Sequence, residues 1–370
     1  MKNHDKSVCV MFYDINQINF YKYIPTLLDE LGSDAKFNIL LCYEEETSDE
    51  NALKFLSQFT NLKVGLFHSI KSVFSNYQVD VAIVNAQRIP DSLCVSYANN
   101  LGIPTLMIQH GMYNGHLKRS NELYFKKLGK TLKYLWYSFQ VGWGCKKNAF
   151  LTALNFIKAF SFRLPYGELF ASYPQIYAKH VHVYGQYWVK YHKEFFGYSD
   201  SRTSFHVVGY PELRQELGRQ EVSFCYIAQS LYEDGRATLS ELAIPLTILQ
   251  DLSRRYSVVV KRHPRSIDKI YKDYGLETVD TLPQAEVFIG HYSSLLALPM
   301  ALGKKVALIP LDGHDIPDYF QISAYSVESA STLVSILLEP TPLHDIGAVF
   351  EFPIDPKDYK QLLLSIIGVE

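Results

Sequence analysis

Two adjacent carboxylates, Glu233 and Asp234, stand before Gly235 in the run "FCYIAQSLYEDGRATLSELAIPL" (224–246). A carboxylate beside another carboxylate holds its proton more tightly, so such a pair supplies a general base tuned toward neutral pH. The bland alternative is that both acids answer the positive end of the following helix, with Gly235 allowing a tight turn. Downstream, "KRHPRS" (261–266) crowds Lys261, Arg262, His263 and Arg265 around Pro264. These are cationic donors suited to a departing phosphate, or simply a strand ending at a proline. "GHYSSLLALPMALG" (290–303) opens a helix with Ser293 and Ser294. One hydroxyl is a natural N-cap, and a helix start with two hydroxyls also receives a phosphate, so both roles fit together. In the first half, "QHGMYNGH" (109–116) sets Gln109, His110 and Gly111 in a glycine-flanked loop. There His110 either contacts donor sugar or acceptor, or is incidental to a turn.

All four stretches follow an apolar run, at the point where a strand would end. Apolar runs at 8–14, 37–43, 62–68, 79–85, 104–109, 181–185 and 205–209 read as strands of a first half, with amphipathic segments such as 20–32 between them. That helix is expected to stop at Gly32 as a C-cap, with Pro25 disturbing its start. Tyr210-Pro211 and the polar stretch 212–221 interrupt the pattern, which restarts with strands near 223–229, 257–264, 285–293 and 305–311. The result is an α/β chain of two parallel-sheet domains, expected to face each other across a central cleft. Ligands of such sheets bind outside the carboxyl ends of the strands. The expected boundaries are 1–215, 216–355 and a final helix over 356–370.

The segment 111–167 carries ten Lys or Arg against the single acid Glu122, interleaved with Trp136, Trp143 and many Tyr, Phe and Leu. It reads as a solvated helical excursion, or as a basic aromatic surface that rests on anionic lipid or a lipid-linked glycan. Nucleic acid is not indicated, because no nucleic-acid motif accompanies these charges and the whole chain has a formal charge of −2. Five scattered cysteines without a CxxC pair fit reduced thiols in the cytoplasm rather than a disulfide framework. The longest uncharged apolar run, 287–303, falls short of the roughly 20 residues that cross a bilayer. His180 and His182 share a strand face without a nearby acid or cysteine and are read as structural. No D-x-D tripeptide occurs, so a metal cofactor is not implied.

With EDG, HP and SS in this order in its second half, the chain resembles the bacterial sialyltransferases of GT-B fold. It is similar too to the transferases that add nonulosonic acids to capsules and lipooligosaccharides. The resemblance implies two Rossmann-like domains and an inverting, metal-independent transfer from a CMP-sugar to a glycan hydroxyl. In that reading Glu233 or Asp234 is the base, with a slight preference for Glu233. His263 contacts the CMP phosphate together with Ser293 and Ser294, and Arg262, Pro264 and Gln229 belong to the nucleotide site. Gln109, His110 and Gly111 would touch donor or acceptor. The QHG loop and "VVGYPEL" (207–213) look more like capsule and teichoic-acid polymer transferases. They keep open a CDP-glycerol-type glycerophosphotransferase with His110 as base, a Kdo transferase, and a non-catalytic glycan- or lipid-binding scaffold.

Overall fold

The computed structural model describes residues 7–34, 36–64, 70–111, 128–161, 164–263, 265–311, 316–321, 324–340 and 346–368. Two compact units result: Met1–His110, Gly129–Tyr210 and Pro353–Glu370 form the first, and Gly111–Leu128 with Pro211–Phe352 the second. The expected boundaries at 215/216 and 355/356 thus fall at 210/211 and 352/353. The final helix, Pro356–Ile367, belongs to the first unit rather than standing apart. The reason is apolar packing: Leu363 and Ile366 of that helix join Leu27, Leu28 and Leu31 in the core of the first unit.

In the first unit seven strands run β1 Val8–Asn16, β2 Phe37–Glu45, β3 Thr60–Lys63, β4 Val81–Val84, β5 Thr105–Ile108, β6 His180–Val183 and β7 Ser204–Val207. Their order across the sheet is β3-β2-β1-β4-β5-β6-β7, every pairing parallel. The second unit holds β8 Glu221–Ile227, β9 Val258–Lys261, β10 Glu277–Val279, β11 Gln284–Gly290, β12 Lys305–Leu308 and β13 Tyr325–Ser326. Their order is β10-β9-β8-β11-β12-β13, again all parallel. Both sheets follow the Rossmann order, which reverses direction once: at β1/β4 in the first unit and at β8/β11 in the second. Continuous Val, Ile and Leu runs produce such strands because helices cover both faces of the sheet.

Three local expectations change. The helix expected over 20–32 is two helices, Ile18–Tyr23 and Pro25–Gly32, parted at Ile24, because the residue before a proline is pushed out of the helical region. Gly32 is helical rather than the cap, which is Ser33. Its missing side chain serves packing instead: a Cβ there would lie 2.6 Å from the Phe59 ring. Strand β3 begins earlier than expected and ends at Lys63, and residues 65–68 of the expected strand lie outside the described ones.

His180 and His182 pair with protein groups: His180 Nδ1 lies 3.2 Å from His206 Nε2, and His182 Nδ1 is 2.9 Å from the Tyr359 hydroxyl. Among the described residues no group of His, Cys, Asp or Glu is arranged to hold a metal, and no helix is long and apolar enough to cross a membrane.

Candidate functional site

The segment after β8 folds back on itself. Asp234 N–H donates to Ser230 O at 2.9 Å, Gly235 N–H to Tyr232 O at 2.8 Å and Arg236 N–H to Leu231 O at 2.6 Å. Gly235 takes φ +62°, the left-handed region that glycine enters without strain. Helix Leu239–Ser253 starts only after this turn, with its own capping box between Thr238 and Glu241. The two carboxylates are therefore not needed to cap that helix.

They also part company. Glu233 Oε1 accepts the backbone N–H of Ile267 at 2.7 Å, just ahead of helix Asp268–Lys272. Asp234 turns the other way and meets the Arg265 guanidinium in a two-pronged pair, Nη1 to Oδ1 at 2.6 Å and Nη2 to Oδ2 at 3.1 Å. The Ser230 hydroxyl bridges them, donating to Asp234 Oδ2 at 3.1 Å and accepting from Arg265 Nη2 at 3.0 Å.

A cavity of about 200 Å³ opens at this point, lined by Gln229, Ser230, Leu231, Asp234, Arg236, His263, Arg265, Tyr292, Ser293 and Ser294. These residues follow the carboxyl ends of β8, β9 and β11, so the cavity sits at the switch point of the second sheet, where ligands of such folds bind. Asp234 is the single acid in a lining that holds two arginines, a histidine and three serines. A larger hollow of about 470 Å³ lies at the amino ends of the same strands, lined by Glu221, Glu286 and Lys304 among others. It is on the wrong edge of the sheet and gathers no comparable set of donors.

The remaining sequence candidates distribute as follows. His263 lines the cavity, and its Nδ1 accepts the Arg265 N–H at 3.2 Å, which leaves the proton of the neutral ring on Nε2. Ser293 is the N-cap, accepting from Leu295 N at 3.3 Å, and Ser294 lies beside it in the lining. The expected helix after them is a 3-10 turn, Ser294–Leu296, followed by the short helix Ala297–Ala301. Gln229 lines the cavity and accepts the Tyr292 N–H at 3.3 Å. Beneath them, buried His291 donates Nδ1–H to Ile309 O at 2.6 Å and accepts the Tyr226 hydroxyl on Nε2 at 2.7 Å, tying β8 and β11 to the segment after β12.

Arg262, grouped with the nucleotide in sequence, is not in this lining: its guanidinium holds both oxygens of Asp280 and one of Asp268. Pro264 lies outside the described residues. The arginines that line the cavity are Arg236 and Arg265.

In the first unit, Gln109 is buried and pins Tyr184, accepting its N–H at 3.1 Å on Oε1 and its hydroxyl at 2.7 Å on the main-chain carbonyl. Those two bonds clamp the ends of β5 and β6 together. His110 and Gly111 follow it, and Gly111 has φ +64°. Around His110 stands a cluster not singled out from sequence: Asp14 at the end of β1, Asn85 after β4, and Arg88. Burial works against ionisation of Asp14, yet the Arg88 guanidinium and the Asn16 N–H hold its carboxyl below the ordinary value. The signal was present, since "FYD" and "IVN" each end an apolar strand in a polar residue.

The described part of the basic aromatic segment is a pair of helices, Leu128–Gly144 and Ala149–Ser161. Leu132, Trp136 and Trp143 lie along one stripe of the first, and Phe150, Leu154 and Ile157 along one stripe of the second; all are exposed, Phe150 by 74%. Trp136 and Trp143 meet edge to face at 5.5 Å, and Phe139 links to Phe150 at 5.2 Å. Lys133 turns inward to buried Glu44, whereas Lys146 and Lys158 are exposed. Residues 112–127 and 162–163 of the segment lie outside the described ones.

No protein-family model matches the chain, and no curated protein matches it by sequence. Solved structures do match by fold. A Medicago truncatula protein complexed with UDP-glucose aligns at TM-score 0.56 and 9% identity, covering 100% of both chains. A calicheamicin glycosyltransferase aligns at 0.52 and 11%, covering 98% of each. A Listeria monocytogenes protein assigned as a UDP-N-acetylglucosamine 2-epimerase aligns at 0.51 and 10%, covering 97% of this chain and 96% of its own. The fold is thus α/β of GT-B type, with two Rossmann-like domains.

Proposed function

We propose that the chain is an inverting glycosyltransferase that takes its sugar from a nucleotide donor whose phosphate occupies the cavity of the second unit. One observation carries this reading: Arg236, Arg265, His263 and the hydroxyls of Ser230, Ser293 and Ser294 converge around a single carboxylate at the switch point. The donor is read as a CMP-nonulosonate, on the strength of the EDG, HP and SS resemblance. The acceptor is a hydroxyl of a bacterial surface glycan. Its oxygen attacks C2 of the sugar while Asp234 takes the proton. The bond from C2 to the phosphate oxygen breaks, its electron pair stays on the phosphate, and the Nε2–H of His263 donates a hydrogen bond to that developing charge. A single displacement inverts the anomeric centre. Charge on a monophosphate leaving group is met by the two arginines, the imidazole and the hydroxyls, so the mechanism calls on no metal.

Asp234 is favoured over Glu233 because it lines the cavity, while Glu233 is engaged by Ile267. Its pairing with Arg265 has a role in this mechanism. An entering phosphate competes for the same guanidinium, and withdrawal of Arg265 frees the carboxylate to act as base. Donor binding and base release are then one event.

Thermal stabilisation by CMP, CDP, UMP, UDP and GDP, with and without magnesium, tests the reading. A ligand at 100 times its Kd adds about 2.7 kcal/mol. Stabilisation by CMP without magnesium supports the CMP-sugar donor. Stabilisation by UDP alone favours the competing UDP-sugar reading, which the UDP-glucose in the Medicago structure and the name of the Listeria protein support. No stabilisation by any of them sinks the transferase reading.

The exposed apolar stripes on helices Leu128–Gly144 and Ala149–Ser161, flanked by lysines and by no acid within either helix, support peripheral contact with anionic lipid at the inner face of the cytoplasmic membrane.

A further inference from the structure

Four donors surround the buried Asp14 carboxylate. They are Asn16 N–H at 2.9 Å, Asn19 Nδ2 at 2.7 Å, Arg88 Nη2 at 3.0 Å and Asn85 Nδ2 at 3.2 Å. The last of these fixes which way the Asn85 amide faces. Turned over, it would set an amide oxygen 3.2 Å from a carboxylate oxygen, two acceptors in contact with no proton between them. The amide nitrogen must therefore point to Asp14, and the same nitrogen stands 3.2 Å from His110 Nδ1. An amide nitrogen has two protons to give and no lone pair to offer, so Nδ1 is the accepting nitrogen of the ring. Asn85 Oδ1, buried and without a hydrogen-bond partner among the described residues, does nothing to favour the reverse orientation.

We infer that Asn85 is a positioning residue that holds His110 as a neutral imidazole protonated on Nε2, which makes that nitrogen a hydrogen-bond donor rather than a general base. A cationic ring would set Nδ1–H against the Asn85 N–H. Among the described residues, the charged groups facing this point are Asp14 on β1 and, beyond it, Arg88 bound to Asp91 of helix Ile89–Asn100. Asp14 attracts a cationic ring through space, but Arg88 already neutralises much of that charge, and the direct N–H against N–H clash acts at contact distance. A glycerophosphotransferase with His110 as its base would need the Nε2 lone pair that this arrangement covers with a proton. The assignment holds whichever nucleotide the second unit takes.

The test is a long-range proton–nitrogen correlation spectrum of the full chain carrying 15N-histidine, with the His110 signals assigned through His110→Gln. In the native chain, above the pH at which the ring becomes neutral, Nε2 is expected to be the protonated nitrogen and Nδ1 the bare one. Asn85→Asp replaces the donor with an acceptor and moves the proton to Nδ1. Asn85→Leu keeps the size, removes both protons of the amide and yields a mixture of tautomers. A native ring protonated on Nδ1 overturns the inference, and so does an Nε2–H pattern that survives Asn85→Asp. Should the new carboxylate beside Asp14 prevent folding, Asn85→Leu decides: an unchanged single tautomer overturns it. No substrate is needed, so failure here is separable from failure of the transferase reading.

Discussion

Asp234 and Glu233 are joined by one peptide bond and meet different partners, a cavity-facing guanidinium for the first and a backbone N–H for the second. Asp234→Asn should lower kcat by about 10²–10⁴-fold, the range expected on losing a general base. Glu233→Gln keeps a carbonyl oxygen for Ile267 and should cost less than tenfold. Steady-state rates with the donor selected by the nucleotide panel check this, and the opposite ranking would return the role to Glu233. Legibility at this scale followed a simple rule. Asp234, His263, Ser293 and Ser294 were readable because a polar residue after an apolar strand sits at the rim whatever its distant neighbours do. The choice between Arg262 and Arg265 was not readable. It is set by Asp280, on a loop 18 residues beyond Arg262, whose charge draws that arginine away. Asp14 and Asn85 obey the strand-end rule too, but they matter through a contact 71 residues apart in the chain.

The helix pair Leu128–Gly144 and Ala149–Ser161 is the element whose surface is least satisfied by the protein itself. If it rests on lipid, the chain should co-sediment with anionic phosphatidylglycerol vesicles and far less with neutral phosphatidylcholine, and added salt should weaken the binding. Phe150→Ser with Leu154→Ser should abolish the binding without lowering the melting temperature, since both side chains are exposed. Equal binding of native and doubly substituted chains would rule the surface out. The sequence showed the amphipathic period and the excess of lysine. It did not show that Lys133 leaves the surface for Glu44, or that Lys147 lies 5.8 Å over the Tyr173 ring, because both partners come from other elements.

For the molecule as a whole, buried histidines set the response to acid. Burial lowers the His192 pKa from 6.5 to about 3, and burial with the neighbouring His206 and His180 charges holds His182 well below its ordinary value. Both are neutral when folded and take up protons on unfolding. Stability is therefore complete above about pH 6.5 and falls as pH drops below it, by about 1.4 kcal/mol per pH unit for each such histidine. Urea midpoints at pH 7.5 and 5.5 should differ accordingly. His192→Phe, placed among Phe196, Tyr198 and Phe205, should reduce the slope; an unchanged slope would mean other groups carry it. The α/β alternation, the first sheet, the central strands of the second and the break at Tyr210-Pro211 were legible from period and composition; the two edge strands β10 and β13, three and two residues long, were too short to show a period. The return of the last helix to the first unit was not, since an amphipathic helix does not announce which core it joins.

That return has a consequence for how the chain is made. The chain leaves the first unit after Tyr210 and re-enters it at Pro353, and Ile354 N–H bonds to Val208 O at 2.9 Å, so exit and re-entry lie side by side. At about 5–20 residues per second, synthesis of the intervening stretch keeps the first unit waiting on the order of ten seconds for Leu363 and Ile366. Over that interval Leu27, Leu28 and Leu31 have no final helix to cover them, while the second unit, continuous from Pro211 to Phe352 apart from its contribution at Gly111–Leu128, emerges in a single run. The half of the chain that is translated first is the half that finishes folding last.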